Sequence, residues 1–575
     1  MVWIAVVGWT HRWMTEDGFI YLRIVEQVRQ GNGPVFNDGE RVEAFTGVLW
    51  VGILSLADLV TPVRLEWLSV VLGLVATVVA VALAVAGARR LWAGTEGEAF
   101  SVPLGAVVFV AVFPAWAYAT SGLETGLVFT WLGGSLWILA RWARDGGRQV
   151  SALEAVVLGL GWLVRPELVV FSALFLVVTT GPWSGASGRA RVRVVAAALA
   201  IPVAYQVFRM GFYGSLVTNT AIAKEGAERN WGRGWDYLLD FAEPYWLWLP
   251  LLCLAVGGYV PLVALAARAR DLRRIAVMAA FVLGGAAHTV YVVAVGGDYH
   301  HGRMFLPALF AVCAPVAVVP ATRRHLAGVA IVAWAVVAAV ALRPEQYEGD
   351  DPLANGFLAP HRLGVTVDDY GWGDDSPVRT WFAGPPAYHY EAGILRYPPA
   401  DLPLDEELPL PFGTFWGVGV SAYSVGTDFH VLDQMGLADP FTSHLEATPP
   451  LPGRPPRYPG HEKPLPCPWL AARVTRPGST PFAVNFPPFG NPLVPPTTGA
   501  EFQEQVAWAR AALACDPIAE LLESTTERLT ARRFAANFLR SVRHTQLRIP
   551  PDPESAYRRF CGDDTPPEVA AVRAS

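Results

Sequence analysis

Two short stretches of the chain concentrate groups able to do acid–base, nucleophilic or phosphate chemistry. The first is Trp13-Met14-Thr15-Glu16-Asp17-Gly18-Phe19-Ile20-Tyr21-Leu22-Arg23, with adjacent carboxylates where the chain leaves a first apolar stretch. Ionisable groups at membrane depth are costly and usually functional, so Glu16 and Asp17 read as a general base or metal-binding carboxylates at the membrane surface. The plainer reading is an interfacial helix with Thr15 or Asp17 as its N-cap. The second stretch is Gly296-Gly297-Asp298-Tyr299-His300-His301-Gly302-Arg303. Glycines let a backbone approach a ligand closely, Asp and His bind metals or shuttle protons, and Arg grips phosphate bidentately. A purely structural turn needs no such density of titratable groups. Asp298 is the candidate metal ligand, and His300, His301 and Arg303 are candidates for phosphate.

Only two of the 44 cationic residues are lysines, Lys224 and Lys463. Lys224 lies in a loop that begins Phe212-Tyr213-Gly214, where a compact ammonium suits phosphate and an exposed loop charge is the alternative. Arg165-Pro166-Glu167 interrupts an apolar run; it either holds a lipid phosphate or ends two helices with a paired Arg/Glu. In the tail, Arg457 to Pro464 forms a polar knot with His461, Glu462 and Lys463 as candidate substrate contacts. Asp368 to Asp375 mixes carboxylates with aromatics, as sugar- or metal-binding loops do, although a solvated loop is the simpler account.

The elements that must position these groups follow from composition. The 575 residues are 53% hydrophobic and 16% charged, with a mean hydropathy of +0.33, whereas soluble chains carry about 25% charge. The net charge of -6 leaves no basic footprint for nucleic acid. The five cysteines show no metal-ligand spacing, and Cys467, Cys515 and Cys561 allow one disulfide on an oxidising side. Residues 1–343 hold 13 prolines and residues 344–575 hold 34. The chain therefore reads as a membrane part, 1–343, followed by a water-soluble domain of mixed α/β type, 344–575.

A spanning helix needs about 20 apolar residues. Candidate spans are 65–88, 101–119, 123–141, 151–163, 168–180, 192–210, 246–267, 275–296, 304–321 and 326–342, the two short ones extending through Arg165-Pro166-Glu167. Met1 to Trp13 reads as the end of a further span truncated by the start codon, with no secretory cleavage site. Arginine clusters at 89–90, 141–148, 189–193, 268–274 and 323–324 all face the cytoplasm if 46–60 is an interfacial helix. That gives about eleven transmembrane helices. The outer face then holds 14–62, 120–123, 211–245, 297–303 and the C-terminal domain.

An acidic pair after the first helix, a long outer loop, many spans and a soluble outer domain resemble the membrane glycosyltransferases of GT-C type. The strings WMTEDGFIYLR (13–23), GNGPVFNDGERVEAFTG (31–47), GGDYHHGR (296–303) and PGHEKPLP (459–466) resemble, over nearly the whole chain, the AftB-type terminal β-(1→2)-arabinofuranosyltransferases of the actinobacterial cell envelope. The resemblance implies decaprenyl-phospho-arabinofuranose as donor and arabinan ends of arabinogalactan or lipoarabinomannan as acceptor, at the outer face of the plasma membrane. It implies two aspartates where this chain has Glu16-Asp17. It also implies overall retention of configuration, since donor and product are both β-linked, which a single displacement would invert.

Such a donor brings its own leaving group, so no nucleotide cofactor is needed, and no nucleotide motif is present. Catalysis needs a carboxylate near the sugar carbon, Glu16 or Asp17, and cations or a divalent Mg, Mn or Ca ion on the phosphate. Arg303, Lys224, Arg165 and the histidines are the candidate cations, and Arg41 and Glu43 of the first outer loop are candidate sugar contacts. The alternatives are a transferase of another polyprenyl-phosphate sugar such as mannose, or a lipid or glycan transporter. Transporters usually carry internal repeats and mid-bilayer polar groups; here there is no repeat and the polar groups gather at one face.

Overall fold

The computed structural model describes residues 1–93, 101–147, 149–224, 229–298, 300–321, 325–340, 364–366, 412–415, 418–427, 430–448, 463–474 and 499–574. Two compact units are formed. One comprises Met1–Gly18, Thr46–Tyr205 and Ala227–Val367, the other Phe19–Phe45, Gln206–Gly226 and Asp368–Ser575. Residues 19–45 and 206–226, which the sequence places within or beside the outer segments, thus cluster with the tail.

The first unit is helical. Four helices are long and apolar enough to cross a membrane among the described residues: Leu65–Leu91, Gly188–Phe212, Trp248–Arg268 and Leu272–Ala294. Val48–Val60, Pro166–Thr180, Arg303–Val316 and Ala327–Ala339 are apolar but shorter. Several expected spans are therefore interrupted, and proline chemistry explains where. Stretch 101–119 breaks at Val112, which is extended ahead of the turn Phe113–Ala117 carrying Pro114. Arg165 is extended (φ -155°, ψ 141°) before Pro166, as the clash with the proline ring demands. The 46–60 stretch forms the helix Val48–Val60, with no acid in its first turn and no base in its last.

The helices Leu65–Leu91 and Thr125–Arg144 form the scaffold beneath the acidic pair. They approach so closely that a Cβ on Gly126 would lie 2.3 Å from the Gly73 carbonyl oxygen, and one on Gly133 would lie 2.7 Å from that of Ala80. In a bilayer the packing of small residues replaces hydrophobic burial as the drive for helix association. The seven-residue step from Gly126 to Gly133 keeps the contact on one seam. Two short antiparallel pairs complete the unit, Trp13–Thr15 with Gly364–Thr366 and Ser101–Val102 with Val319–Pro320.

In the second unit, the described residues of the tail are mostly helical, with one parallel pair, Phe412–Phe415 beside His430–Asp433. The sheet is thus smaller than the mixed α/β expectation. Arg23 is fully buried and donates to the carbonyls of Phe36, Ala422 and Gly426, which ties residues 19–45 to the tail. Cys515 and Cys561 form a disulfide across 46 residues.

Glu43 and Arg209 make a buried bidentate pair, Nε to Oε2 at 2.6 Å and Nη2 to Oε1 at 3.0 Å. Breaking a buried ion pair costs about 3–5 kcal/mol. The Arg209→Met variant is therefore expected to unfold at a clearly lower temperature in detergent; an unchanged melting temperature would show the pair to be inert.

Candidate active site

The acidic pair is placed by the strand before it. Thr15 donates its amide to the Ser121 carbonyl at 3.0 Å, and the Trp13 indole donates to the Ala117 carbonyl at 2.8 Å. The helix Glu16–Gln30 begins at once, so Glu16 and Asp17 sit in its first turn, where negative charge suits the helix dipole. Thr15 and Asp17 were the candidate caps. Asp17 lies within the helix, and the buried Thr15 hydroxyl bonds His300 Nε2 at 3.2 Å.

The turn 296–303 owes its shape to three glycines with left-handed backbones. Of these, Gly297 (φ +74°) and Gly302 (φ +64°) also lie against aromatic rings. A Cβ on Gly297 would come within 2.3 Å of the Tyr237 ring, and one on Gly302 within 2.5 Å of the Phe241 ring. Both rings belong to the helix Trp231–Ala242, which clamps the turn. Tyr237 donates to the His300 carbonyl at 2.7 Å, and burial pushes its phenol well up, so it remains a donor. Arg233 donates to the carbonyls of Gly296 and Asp298. His301 is held at both ring nitrogens, Nδ1 to Asp240 Oδ2 at 2.7 Å and Nε2 to the Tyr245 hydroxyl at 3.0 Å.

Arg303 joins this turn to the acidic pair. Its Nε and Nη2 donate to Asp298 Oδ2 at 2.7 and 2.5 Å, and Nη1 lies 3.7 Å from Asp17 Oδ2. The grip on Asp298 is tight and that on Asp17 is loose. Asp298 and Arg303 are buried, whereas the Asp17 side chain keeps 16% of its surface. A carboxylate that faces solvent while held near a fixed guanidinium can meet a substrate.

Arg165 lies beside this centre, with its Nη2 3.5 Å from the sulfur of Met304, the residue after Arg303. Its guanidinium also pairs with Glu124 and Glu167. The first unit thus gathers Glu16, Asp17, Arg165, Asp298, His300, His301 and Arg303. Glu124, Arg233 and Asp240 were missed by the sequence reading. Glu124 directly follows the outer turn 120–123, at the start of the candidate span 123–141, and the other two lie in the outer segment 211–245, so nearness to the outer face was the available signal.

The remaining candidates belong to the second unit. Arg41 donates to the carbonyls of Phe212 and Ser524, at 3.1 and 2.9 Å. With Glu43 it lines a cavity of about 20 Å³, the room of about one water. Lys463 is buried and donates to the carbonyls of Ile222 and Ser443 at 3.1 and 2.9 Å. Lys224 follows the short helix Asn219–Ala223 as its C-cap. His461, Glu462 and the 368–375 run lie outside the described residues.

One buried network in this unit responds to pH. Arg473 donates to both oxygens of Asp439, at 2.9 and 2.8 Å, which keeps that carboxyl low. Glu40 is pushed up to about 7 by burial first and by the charge of Asp439 second. Its folded pKa is raised above the ordinary 4.5, so the stability it contributes is full below about 4.5 and is lost as pH rises through about 7. Asp433, also raised to about 7 by burial, acts in the same direction. The Glu40→Gln variant is therefore expected to lose less melting temperature than the parent between pH 5 and pH 8. Parallel curves would refute the assignment.

Among the described residues no three His, Cys, Asp or Glu groups converge, and Asp298 Oδ2 is taken twice by Arg303.

No family model and no solved structure matches the chain. It is similar to the terminal β-(1→2)-arabinofuranosyltransferase of Mycobacterium tuberculosis, with 32% identity over 627 aligned positions covering 97% of this chain and 95% of that protein. It is also similar to the protein of the same name from Corynebacterium glutamicum, with 39% identity over 341 positions, 54% of this chain and 49% of the other.

Proposed function

Because this chain belongs to the terminal β-(1→2)-arabinofuranosyltransferases, we propose that it carries arabinofuranose from decaprenyl-phospho-arabinofuranose to the non-reducing ends of cell-wall arabinan, in arabinogalactan or lipoarabinomannan. It is a glycosyltransferase, and the linkage it forms is the terminal β-(1→2) bond of its relatives. The observation that carries the reading is the contact of Arg303 with both Asp17 and Asp298. It gathers a carboxylate and a cation into one membrane-anchored centre, as a sugar phosphate ester requires.

Asp17 meets the sugar carbon. The bond from that carbon to the phosphate oxygen breaks and its electron pair leaves with the lipid phosphate. The Asp17 carboxylate stabilises the cationic sugar or adds to it, which accommodates retention of configuration. Arg303 stabilises the phosphate as its negative charge grows, with Arg233 behind the same turn. The acceptor hydroxyl then bonds to the sugar carbon, releasing the Asp17 carboxylate where it had added, and gives up its proton, for which Glu16 stands next to Asp17. His301 orients the turn rather than binding phosphate, since it is engaged at both nitrogens. No step goes through a metal.

We place the protein in the plasma membrane with about eleven spans and with its active site and C-terminal domain outside. Support comes from the arginine-rich loops that fall on one side and from the disulfide Cys515–Cys561, which belongs to an oxidising compartment. The experiment is a competition between synthetic arabinosyl and mannosyl polyprenyl phosphates on the purified protein. Transfer of arabinose alone is expected, and preference for mannose would overturn the donor assignment.

A further inference from the structure

The turn before the helix Thr125–Arg144 holds a second acid whose bonding is incomplete. Glu124 is 1% exposed. Its Oε1 pairs with Arg165, while Oε2 is buried and has no hydrogen-bond partner among the described residues. Buried polar atoms are almost always satisfied, and an exception calls for a reason.

The neighbourhood of its turn supplies one. The Ser121 carbonyl of the same turn accepts the Thr15 amide, and a Cβ on Gly18 would lie 3.0 Å from that carbonyl and 3.4 Å from Gly122 Cα. The turn therefore packs on both sides of Glu16-Asp17. Through Arg165, Glu124 also reaches Met304, next to Arg303. A second group points the same way. His288 is buried, both its ring nitrogens lack partners among the described residues, and it lies within electrostatic range of Glu167 and Arg165. The Arg165 couple thus carries unmet hydrogen-bonding capacity on two sides.

The charge of the couple selects the ligand. Arg165 already faces two carboxylates, Glu124 and Glu167, so this group has no positive charge to spare for a phosphate. A carboxylate oxygen accepts hydrogen bonds only, and the donors that a sugar brings are its hydroxyls. We propose that Glu124 is a binding residue for the furanosyl group of the donor, its Oε2 accepting a hydrogen bond from a ring-substituent hydroxyl, with Arg165 holding the carboxylate in place. This rests on the arabinofuranosyl reading above and assigns Arg165 to the sugar side of the centre.

The test uses the full-length protein with farnesyl-phospho-arabinofuranose and its 2-deoxy, 3-deoxy and 5-deoxy analogues. For the parent, removing the recognised hydroxyl should lower kcat/KM by about 10- to 100-fold, since a site built to pair a hydroxyl discriminates against its loss. The Glu124→Gln variant should lose a similar factor on the complete donor and show little further loss on that analogue. Should Glu124→Gln fail to fold, Glu124→Asp keeps the charge opposite Arg165 but withdraws the oxygen, and the same loss of discrimination is expected. Equal deoxy penalties in parent and variant, or full activity of Glu124→Gln, would overturn the assignment. Absence of arabinose transfer by the parent would instead overturn the reading on which it rests.

Discussion

Asp17→Asn is expected to abolish most transfer while leaving the fold intact. The substitution keeps size and hydrogen-bonding shape but removes the charge that meets the sugar carbon. Side chains that act directly in the transition state contribute about 100- to 10,000-fold, and the loss should appear in kcat more than in KM, because the interaction strengthens as the bond to phosphate breaks. Asp17 faces solvent more than Asp298 does, so the melting temperature should move little. Glu16→Gln is expected to lose less, since the contact to Arg303 runs through Asp17. Single-turnover transfer with saturating lipid donor separates the two. Equal and full activity of both variants would remove the acidic pair from the chemistry.

Replacing Arg303 should be nearly as severe, with a different signature. Lysine restores the charge but not the planar fork that serves Asp298 with two nitrogens while a third faces Asp17. Arg303→Lys is expected to lose about 100- to 1,000-fold in kcat, the range for removing one electrostatic stabiliser of a transition state. Arg303→Ala should add a loss of stability, because it withdraws the guanidinium from an Asp298 that is 4% exposed; breaking a buried pair costs about 3–5 kcal/mol. Activity and melting temperature measured together distinguish a catalytic arginine from a structural one. Arg303→Lys with parental kcat would assign the residue to folding alone.

The centre was legible in the sequence because its members lie in two dense strings, and Glu16, Asp17, Asp298 and Arg303 fall in one unit. Gly297 and Gly302 were readable as glycines against a tight turn, though not the rings of Tyr237 and Phe241 that enforce it. The pairing partners were not legible. Glu124 and Asp240 are single acids more than a hundred residues apart, and nothing local ties them to Arg165 or His301. Arg41 and Glu43 show the converse. Their string drew attention, but the fold uses Arg41 on backbone carbonyls and Glu43 on Arg209.

Hydropathy found the membrane helices but overestimated their continuity, because it does not sense that Pro114 and Pro166 interrupt apolar runs. The gathering of residues 19–45 with the tail draws on Arg23, whose bonds reach the Ala422 and Gly426 carbonyls some four hundred positions away, and that of 206–226 on Asn219, which donates to the Gly436 and Asp439 carbonyls. Periodicity carries no information about such a link.

The central claim is that this centre moves arabinofuranose onto an arabinan end with a defined linkage. The direct measurement is nuclear magnetic resonance of the product formed by the purified parent protein from farnesyl-phospho-arabinofuranose and a synthetic arabinan oligosaccharide. A new terminal arabinofuranose, β-configured and attached at the 2-hydroxyl of the former end, is the expected result, absent with Asp17→Asn. An α-configured product, a different linkage, or the same product from Asp17→Asn at the parental rate would contradict the account.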